Sequence, residues 1–208
     1  MSRRALAIVL AASVLFFALF AADLVFHGPV TDADAGVSLW LHEHMQPVFT
    51  SVLFAFTHVH STLGLSIMSG LLAVFLALRK RVALIGWMLL TVPGGQILNV
   101  VVKDIFHRAR PHWDQPLVTL SSFSFPSGHA AGSTVFWGFV LVACGALDAP
   151  VWVRRTLAVA GVIAVALTAL SRVYLGAHYL SDVLAGICEG TAWVCACKLA
   201  MDARTIRA

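Results

Sequence analysis

Charged residues are scarce in this chain of 208 amino acids. Asp, Glu, Lys and Arg make up 12% of it, apolar residues make up 60%, and the mean hydropathy is +0.88. Soluble domains carry about 25% charged residues, and disordered chains combine low hydrophobicity with high charge. The composition therefore excludes both classes and predicts an integral membrane protein, which the length limits to a single domain over residues 1–208.

Cysteines and runs of basic residues are also few. The four cysteines lie inside apolar stretches without zinc-type spacing, so we expect small buried side chains rather than disulfides or metal ligands. The basic residues give a net charge of +4 but are scattered in twos and threes. A nucleic-acid-binding protein would carry a basic stripe with interleaved aromatic residues. The sequence therefore predicts no nucleic-acid partner.

Six apolar segments predict an all-α, polytopic membrane protein built as a six-transmembrane-helix bundle. A spanning helix needs about 20 apolar residues. The segments are Ala5–Ala22, Ser61–Leu78, Val82–Val102, His129–Leu147, Thr156–Leu170 and Tyr179–Met201. The fifth segment is short, and it can span only if Ser171 and Arg172 at its end lie within the membrane boundary.

The chain divides into three parts. An N-terminal helix is predicted over 5–26, an interfacial segment over 32–60, and the main helical bundle, which holds the proposed catalytic residues, over 61–201. A basic start and an apolar run resemble a signal peptide, but the run is long and no small-x-small site follows it. We therefore expect an uncleaved first helix. The apolar piece Pro47–His58 is too short to span, which predicts short interfacial helices on the exoplasmic side or a segment that dips into the bundle.

Flanking charges orient the predicted spans. With a cytoplasmic N-terminus and six crossings, ten of the 14 Lys and Arg residues fall on the cytoplasmic side together with both chain termini, as the positive-inside rule expects. These ten are Arg3, Arg4, Arg79, Lys80, Arg81, Arg154, Arg155, Lys198, Arg204 and Arg207. The other four are Lys103, Arg108, Arg110 and Arg172. Basic residues on the outer side are exceptional, so these four indicate a function.

Three polar clusters lie at the outer ends of predicted spans. In the first, Lys103 and Arg110 are seven residues apart, which places both on one helix face, and Pro111 would end that helix. Cations that snorkel to lipid headgroups are the structural alternative. In the second, Ser127 is a predicted N-cap and Gly128 leaves the backbone open, so the helix start could bind phosphate.

The third cluster runs from Ser171 to Asp182. His178 and Asp182 are four residues apart, so on a helix the carboxylate could hold one imidazole nitrogen and strengthen the other as a base or nucleophile. A helix-surface hydrogen bond is the structural alternative. Taken together, the cations, the open backbone amides and two histidines suit a dianionic phosphate and its in-line displacement.

At these residues the sequence resembles the type 2 phosphatidic acid phosphatase superfamily. The family pattern has three parts. They correspond here to Lys103 through Arg110-Pro111, to Pro126-Ser127-Gly128-His129, and to Ser171-Arg172 through His178 and Asp182. All three parts are present in the family order, and with the predicted spans they cover nearly all of the chain from residue 61 onward.

The resemblance implies a role for each matching residue. His178 would attack phosphorus and form a phosphohistidine, with Asp182 orienting it, and His129 would protonate the leaving oxygen and then help to activate water. The residues implied to hold the phosphate oxygens are Lys103, Arg110, Ser127, Gly128 and Arg172. No metal or other cofactor is implied. Because His178 must be neutral and His129 charged, we predict a bell-shaped pH profile.

The predicted function is metal-independent hydrolysis of lipid phosphate or pyrophosphate monoesters at the outer leaflet. The Val-Pro-Gly-Gly pattern at 92–95 and the His-Arg-Ala-Arg-Pro form at 107–111 are most similar to the bacterial branch. That branch implies undecaprenyl pyrophosphate and phosphatidylglycerol phosphate as substrates. It also implies a multi-pass protein of the bacterial inner membrane with its active site facing the periplasm or exterior.

Two other functions are compatible with part of this pattern. Vanadate-dependent haloperoxidase chemistry would use the same phosphate-binding residues, but the predicted spans argue against it. A transporter could use Glu189, Asp182 and the histidines as a relay, yet the polar residues gather at one edge instead of the bilayer midplane.

Several polar and aromatic residues remain outside the motifs. We expect structural or interfacial roles for the histidines of 42–44 and 58–60. Glu189 is interpreted as bundle polarity first and as a neighbour of the site second. We expect Trp113 to lie at the membrane interface or at the substrate entrance. Three further residues are expected either to contact the lipid headgroup or to be solvated loop residues: His107, Arg108 and His112.

Overall fold

Eight helices make up the computed structural model, which describes residues 1–205 and the side chains of 1–204. The helices are α1 (Arg3–Val25), α2 (Pro29–Glu43), α3 (Pro47–Val59), α4 (Thr62–Leu78), α5 (Val82–Phe106), α6 (Gly128–Ala146), α7 (Val151–Tyr174) and α8 (Leu180–Thr205). Within that range there is no strand, so the predicted all-α fold is confirmed.

Five of the helices are long and apolar enough to cross a membrane, namely α1, α5, α6, α7 and α8. The remaining predicted span, Ser61–Leu78, corresponds to α4, which has 17 residues. Together with α3, to which it is joined through a bend of 51°, α4 is long and apolar enough for a broken span or a re-entrant loop. Helix α7 has 24 residues and includes Ser171 and Arg172. Helix α7 is therefore long enough to span a membrane, whereas the predicted apolar segment Thr156–Leu170, with 15 residues, is too short by itself.

Residues 32–60, which were predicted to form an interfacial segment, lie in two helices, α2 and α3, that pack against the rest of the bundle. Pro47 sits at the start of α3, where its fixed φ suits a first helical turn. Helix α2 contacts α1, α7 and α8, and α3 contacts α7. The first helix covers Arg3–Val25 in place of the predicted 5–26.

Helix α8 lies at the centre of the bundle and approaches α6 closely. A Cβ atom at Gly186 would lie 2.6 Å from the carbonyl oxygen of Ser127, and one at Gly190 would lie 2.8 Å from that of Ala131. Small residues four positions apart allow two membrane helices to pack backbone against backbone. This contact fixes α8 against the start of α6.

We expect the substitution Gly186→Ala to push α8 away from the backbone at Ser127 and so to destabilise the fold. The added methyl group meets backbone, which cannot move aside as a side chain can, and overpacking of this kind costs about 1–3 kcal/mol. Thermal unfolding in detergent should show a lower midpoint for this variant. Gly86→Ala is the matched control because nothing lies within 4 Å of its Cβ position. Equal midpoints for the two variants would contradict the packing argument.

Candidate active site

The three predicted polar clusters meet at one end of the bundle. Lys103 lies in the last turn of α5, Ser127 directly precedes α6, and Arg172 lies in the last turn of α7. His178 lies in the connection to α8, and Asp182 lies in the first turn of α8. The basic residues predicted on the cytoplasmic side occupy the opposite helix ends, except that Arg207 lies outside the described residues.

The prediction that Lys103 and Arg110 share a helix face is wrong. Helix α5 ends at Phe106 because His107 adopts the left-handed conformation with φ of 49°, so Pro111 does not end the helix. Arg110 lies in the irregular chain that follows. The Lys103 ammonium donates to the carbonyl oxygens of Phe123 at 2.8 Å and Ser124 at 3.2 Å. The two cations therefore reach the same loop from different elements.

His178 and Asp182 are paired, although His178 precedes helix α8 and is not part of it. The imidazole Nδ1 lies 3.4 Å from Asp182 Oδ2. That carboxylate also accepts from the Ser124 hydroxyl at 2.5 Å and from the Tyr179 backbone N–H at 3.0 Å. These contacts fix the carboxylate on the Nδ1 side of the ring.

The other nitrogen of His178 carries the free lone pair. Nε2 lies 3.0 Å from Arg110 Nη1, and a guanidinium can only donate, so Nε2 is the acceptor and the ring proton resides on Nδ1. Burial lowers the pKa of His178 from 6.5 to about 3, against the opposing influence of Asp182. The imidazole is therefore neutral at pH 7, as a nucleophile requires.

Arg108 joins two carboxylates at the edge of this pair. Its Nη1 donates to Asp182 Oδ1 at 2.6 Å, and its Nη2 donates to Asp34 Oδ2 at 2.8 Å. The Tyr179 ring covers the guanidinium with its centroid 4.2 Å from Cζ. Although burial alone lowers the pKa of Arg108, Asp182 and Asp34 together raise it above its ordinary value.

The interpretation of Arg108 as a solvated loop residue is therefore wrong, because its side chain is only 8% exposed and both of its carboxylate partners are buried. Sequence reasoning also missed Asp34, which lies in α2 and belongs to none of the motifs. For Arg108, the sequence did contain a signal of its importance, because it is one of only four basic residues predicted on the outer side.

Buried donors without partners line the rest of the cluster. Ser127 occupies the N-cap position of α6, but its side chain makes no capping bond and Oγ is buried without a partner. Arg172 is 2% exposed, and its Nη1 donates to Thr57 Oγ1 at 3.0 Å while Nε and Nη2 are buried without partners. Buried polar atoms are nearly always paired in proteins, so this arrangement suits a polyoxygen anion at the N-terminus of α6.

Comparison with known proteins identifies the family. The family model described as PAP2 superfamily matches residues 83–206, which include every predicted site residue. The chain belongs to the PAP2 superfamily. It is a membrane phosphatase of the PAP2 type and thus a hydrolase.

Relatives of this phosphatase match it over most of their length. Phosphatidylglycerophosphatase B of Bacillus subtilis (strain 168) is 34% identical over 185 residues, or 86% of this chain and 88% of that protein. An Arabidopsis thaliana protein named "Probable lipid phosphate phosphatase beta" is 31% identical over 186 residues, or 78% of this chain and 85% of that one.

A solved structure has the same fold. The crystal structure of a transmembrane PAP2-type phosphatidylglycerolphosphate phosphatase from Bacillus subtilis superposes with a TM-score of 0.81 at 28% identity, and the match covers 94% of this chain and 96% of that one. The predicted membership in the type 2 phosphatidic acid phosphatase superfamily is therefore confirmed, as is a multi-span membrane protein.

Two polar residues, Asn99 in α5 and Glu189 in α8, lie close to the first turn of α6. Asn99 donates to Glu189 Oε2 at 2.7 Å, whereas Oε1 of Glu189 is buried without a partner. A Cβ atom at Gly128 would lie 3.0 Å from Asn99 Oδ1, so the glycine lets α5 approach the helix start. Glu189 is thus linked to the site through Asn99 and does not reach it directly.

Trp113 and two histidines outside the motifs make contacts within the protein. Trp113 donates to the carbonyl oxygen of Gly176 at 3.1 Å and stacks on His42 at 4.1 Å, which places it over the turn that carries His178. His44 and His58 each pair through Nδ1 with a carbonyl oxygen of their own helix. These are the contacts of structural side chains.

Proposed function

We propose that this PAP2 phosphatase hydrolyses lipid phosphate or pyrophosphate monoesters, with phosphatidylglycerol phosphate, undecaprenyl pyrophosphate or both as substrates, without a metal ion. The observation that carries the proposal is the geometry of His178, whose Nδ1 faces the Asp182 carboxylate while its Nε2 lone pair faces the Arg110 guanidinium. The similarity to phosphatidylglycerophosphatase B supports the first substrate. The second rests on the resemblance of the sequence motifs alone.

In the first step, Nε2 of His178 attacks the terminal phosphorus and the bond from that phosphorus to its bridging oxygen breaks. His129, in the first turn of α6, gives its proton to that oxygen. The leaving group is the lipid alcohol for a phosphate monoester and the lipid monophosphate for a pyrophosphate. The phosphorylated imidazole keeps its Nδ1 proton and becomes a cation opposite Asp182. The charges of Lys103, Arg110 and Arg172 stabilise the phosphoryl oxygens as negative charge builds on them.

In the second step, water attacks the phosphohistidine. His129, now neutral, takes a proton from the water, the bond from Nε2 to phosphorus breaks, and inorganic phosphate leaves. His178 is then neutral and His129 protonated, as at the start, so the cycle closes without a cofactor. The acidic side chains nearest the nucleophile, Asp34 and Asp182, are both engaged by Arg108, which supports catalysis by cationic side chains.

Arg110 must change partners when phosphate binds. Its five N–H groups are taken up by Ser122, Phe123, Ala177 and His178 Nε2. Attack on phosphorus needs the Nε2 lone pair, so a phosphate oxygen has to replace Nε2 as acceptor for Nη1. Binding of the anion thereby frees the nucleophile.

A cavity between α4 and α5 supports a lipid substrate. It encloses about 480 Å³ and is lined mainly by apolar residues. Two of its lining residues, Leu65 and Gln96, contact α6 at Gly132, one turn below His129. An acyl or isoprenoid chain in this cavity would leave its headgroup beside the proposed proton donor.

We also propose the orientation in the membrane. Basic residues at the helix ends opposite the site, such as Arg79 to Arg81 between α4 and α5, favour that side as cytoplasmic. The active site then faces the periplasm or exterior of a bacterial inner membrane, and both termini are cytoplasmic.

The experiment is phosphate release by purified protein from a panel of lipid phosphates and pyrophosphates, each with and without a chelator and orthovanadate. We expect release from phosphatidylglycerol phosphate, undecaprenyl pyrophosphate or both that resists the chelator and is inhibited by orthovanadate. Release that stops with the chelator would contradict metal independence. Release from neither lipid would contradict the proposed substrates.

The buried imidazole predicts an unusual pH dependence. With a pKa of about 3, His178 stays neutral as the pH falls from 7 to 5, whereas a pKa of 6.5 would leave about 3% neutral at pH 5. We therefore expect the acid limb of kcat/KM that belongs to His178 below pH 5. Ring ¹⁵N resonances of labelled protein would separate His178 from substrate ionisation. Protonation of His178 near pH 6.5 would contradict this expectation.

A further inference from the structure

Asp34 is buried beside the catalytic cluster, although it lies in α2 and outside the part of the chain that the PAP2 family model matches. It is 2% exposed. Its carboxylate accepts from Arg108 Nη2 at 2.8 Å, from the Ser181 backbone N–H at 3.0 Å, and from the Ser181 hydroxyl. Every one of these partners is a donor, as a buried carboxylate requires.

We infer that Asp34 is a positioning residue for the phosphatase reaction: it balances the charge of Arg108, so that the charge of Asp182 remains available to His178. The inference rests on the proposed function, because it concerns the phosphohistidine step. Asp34 does not touch the phosphate or the imidazole. It acts through Arg108 and through Ser181, the residue next to Asp182.

The charges around Arg108 explain why a second carboxylate is needed. Arg108 contributes +1, and Asp34 and Asp182 contribute −1 each, so the three side chains together carry one negative charge. When Nε2 of His178 bonds to phosphorus and Nδ1 keeps its proton, the ring gains one positive charge. With Asp34 present, the cluster of three side chains balances that charge.

Without Asp34 the same cluster would be neutral. Arg108 Nη1 lies 2.6 Å from Asp182 Oδ1, whereas His178 Nδ1 lies 3.4 Å from Oδ2, so the guanidinium holds the shorter contact. In a buried site, charges interact more strongly than in water. Arg108 alone would therefore neutralise Asp182 and leave the phosphorylated ring without a counter-charge on its Nδ1 side.

The position of Asp182 depends on Asp34 as well. Arg108 Nη1 also donates to the Ser181 hydroxyl at 2.7 Å, and that hydroxyl donates to Asp34. Through Ser181, Asp34 thus fixes the first turn of α8, from which the Asp182 side chain projects. Helix α2 in this way takes part in orienting the nucleophile.

The test compares kcat and KM for Asp34→Asn and for Asp32→Asn, with phosphatidylglycerol phosphate as substrate. Asp32 lies on the same helix, is exposed, and loses the same charge. We expect Asp34→Asn to lower kcat about 10–100-fold with KM changed less than about threefold, since the missing interaction acts only once the ring is charged. Asp32→Asn should match the wild type. A loss confined to KM, or equal kcat for both variants, overturns the inference.

A double variant separates charge balance from a purely structural role. Asp34→Asn with Arg108→Gln removes one negative and one positive charge, so the cluster again carries −1, and the two amides can still bond to each other. We expect its kcat to exceed that of Asp34→Asn by about tenfold. If Asp34→Asn does not fold, the double variant is compared with His178→Ala instead, and equal inactivity of the two overturns the inference.

One readout needs no substrate and so distinguishes this inference from the proposed function. In ¹⁵N-histidine-labelled protein, the His178 Nδ1–H resonance reports its contact with Asp182. We expect Asp34→Asn, but not Asp32→Asn, to shift that resonance. If the wild type hydrolyses no lipid, the proposed function fails and the resonance alone decides: an unshifted signal overturns the inference, and a shifted one sustains the role of Asp34 in positioning His178.

Discussion

His178→Ala is expected to lower kcat for phosphate release by about 10⁴-fold or more, the scale seen when a nucleophile is removed from an enzyme site. In the proposed mechanism, Nε2 carries the lone pair that attacks phosphorus, and alanine supplies no substitute. Inhibition by orthovanadate should weaken, because the five-coordinate form of the anion loses Nε2 as a ligand. Residual activity would come from direct attack by water on a phosphate that is still bound.

Two measurements identify the cause of that loss. His112→Ala removes an exposed histidine from the loop that carries Arg110, so it should keep the wild-type rate. In a rapid-quench experiment with lipid radiolabelled at phosphorus, wild-type protein should carry an alkali-stable, acid-labile label that His178→Ala lacks. Labelled His178→Ala protein, or a rate within tenfold of the wild type, would rule out His178 as the nucleophile.

The helices and the grouping of the motifs could be predicted from sequence because both depend on local signals. A long apolar run predicts a membrane span regardless of the segments that pack against it. The order of the spans then places Lys103, Ser127 and Arg172 at one end of the bundle. The contact between His178 and Asp182 was also accessible, since residues four apart in sequence are held near each other by local backbone geometry.

The sequence did not indicate the contacts between distant side chains. Arg108 and Asp34 are separated by 74 residues, and Arg172 and Thr57 by 115, and neither pair belongs to a periodic pattern. The end of α5 was misplaced for a different reason: His107 adopts a left-handed conformation that its residue type does not announce, so the helix stops before Pro111.

Arg172→Lys should be the most damaging substitution among the phosphate-binding cations. The side chain is buried, Thr57 fixes its Nη1, and Nε and Nη2 are left as parallel donors. Lysine keeps the charge but offers a compact ammonium in place of that planar fork. Because loss of a donor to the transition state costs about 10²–10³-fold, we expect kcat/KM to fall by that factor.

Arg155→Lys provides the control, since Arg155 is an exposed residue at the opposite end of the same helix and should tolerate the change. The inhibition constant of orthovanadate distinguishes two explanations for the loss in Arg172→Lys. If Arg172 binds the five-coordinate phosphorus that vanadate resembles, the inhibition constant should rise by about the same factor as kcat/KM falls. An unchanged inhibition constant would mean that the guanidinium holds α3 through Thr57 without contacting the phosphoryl group.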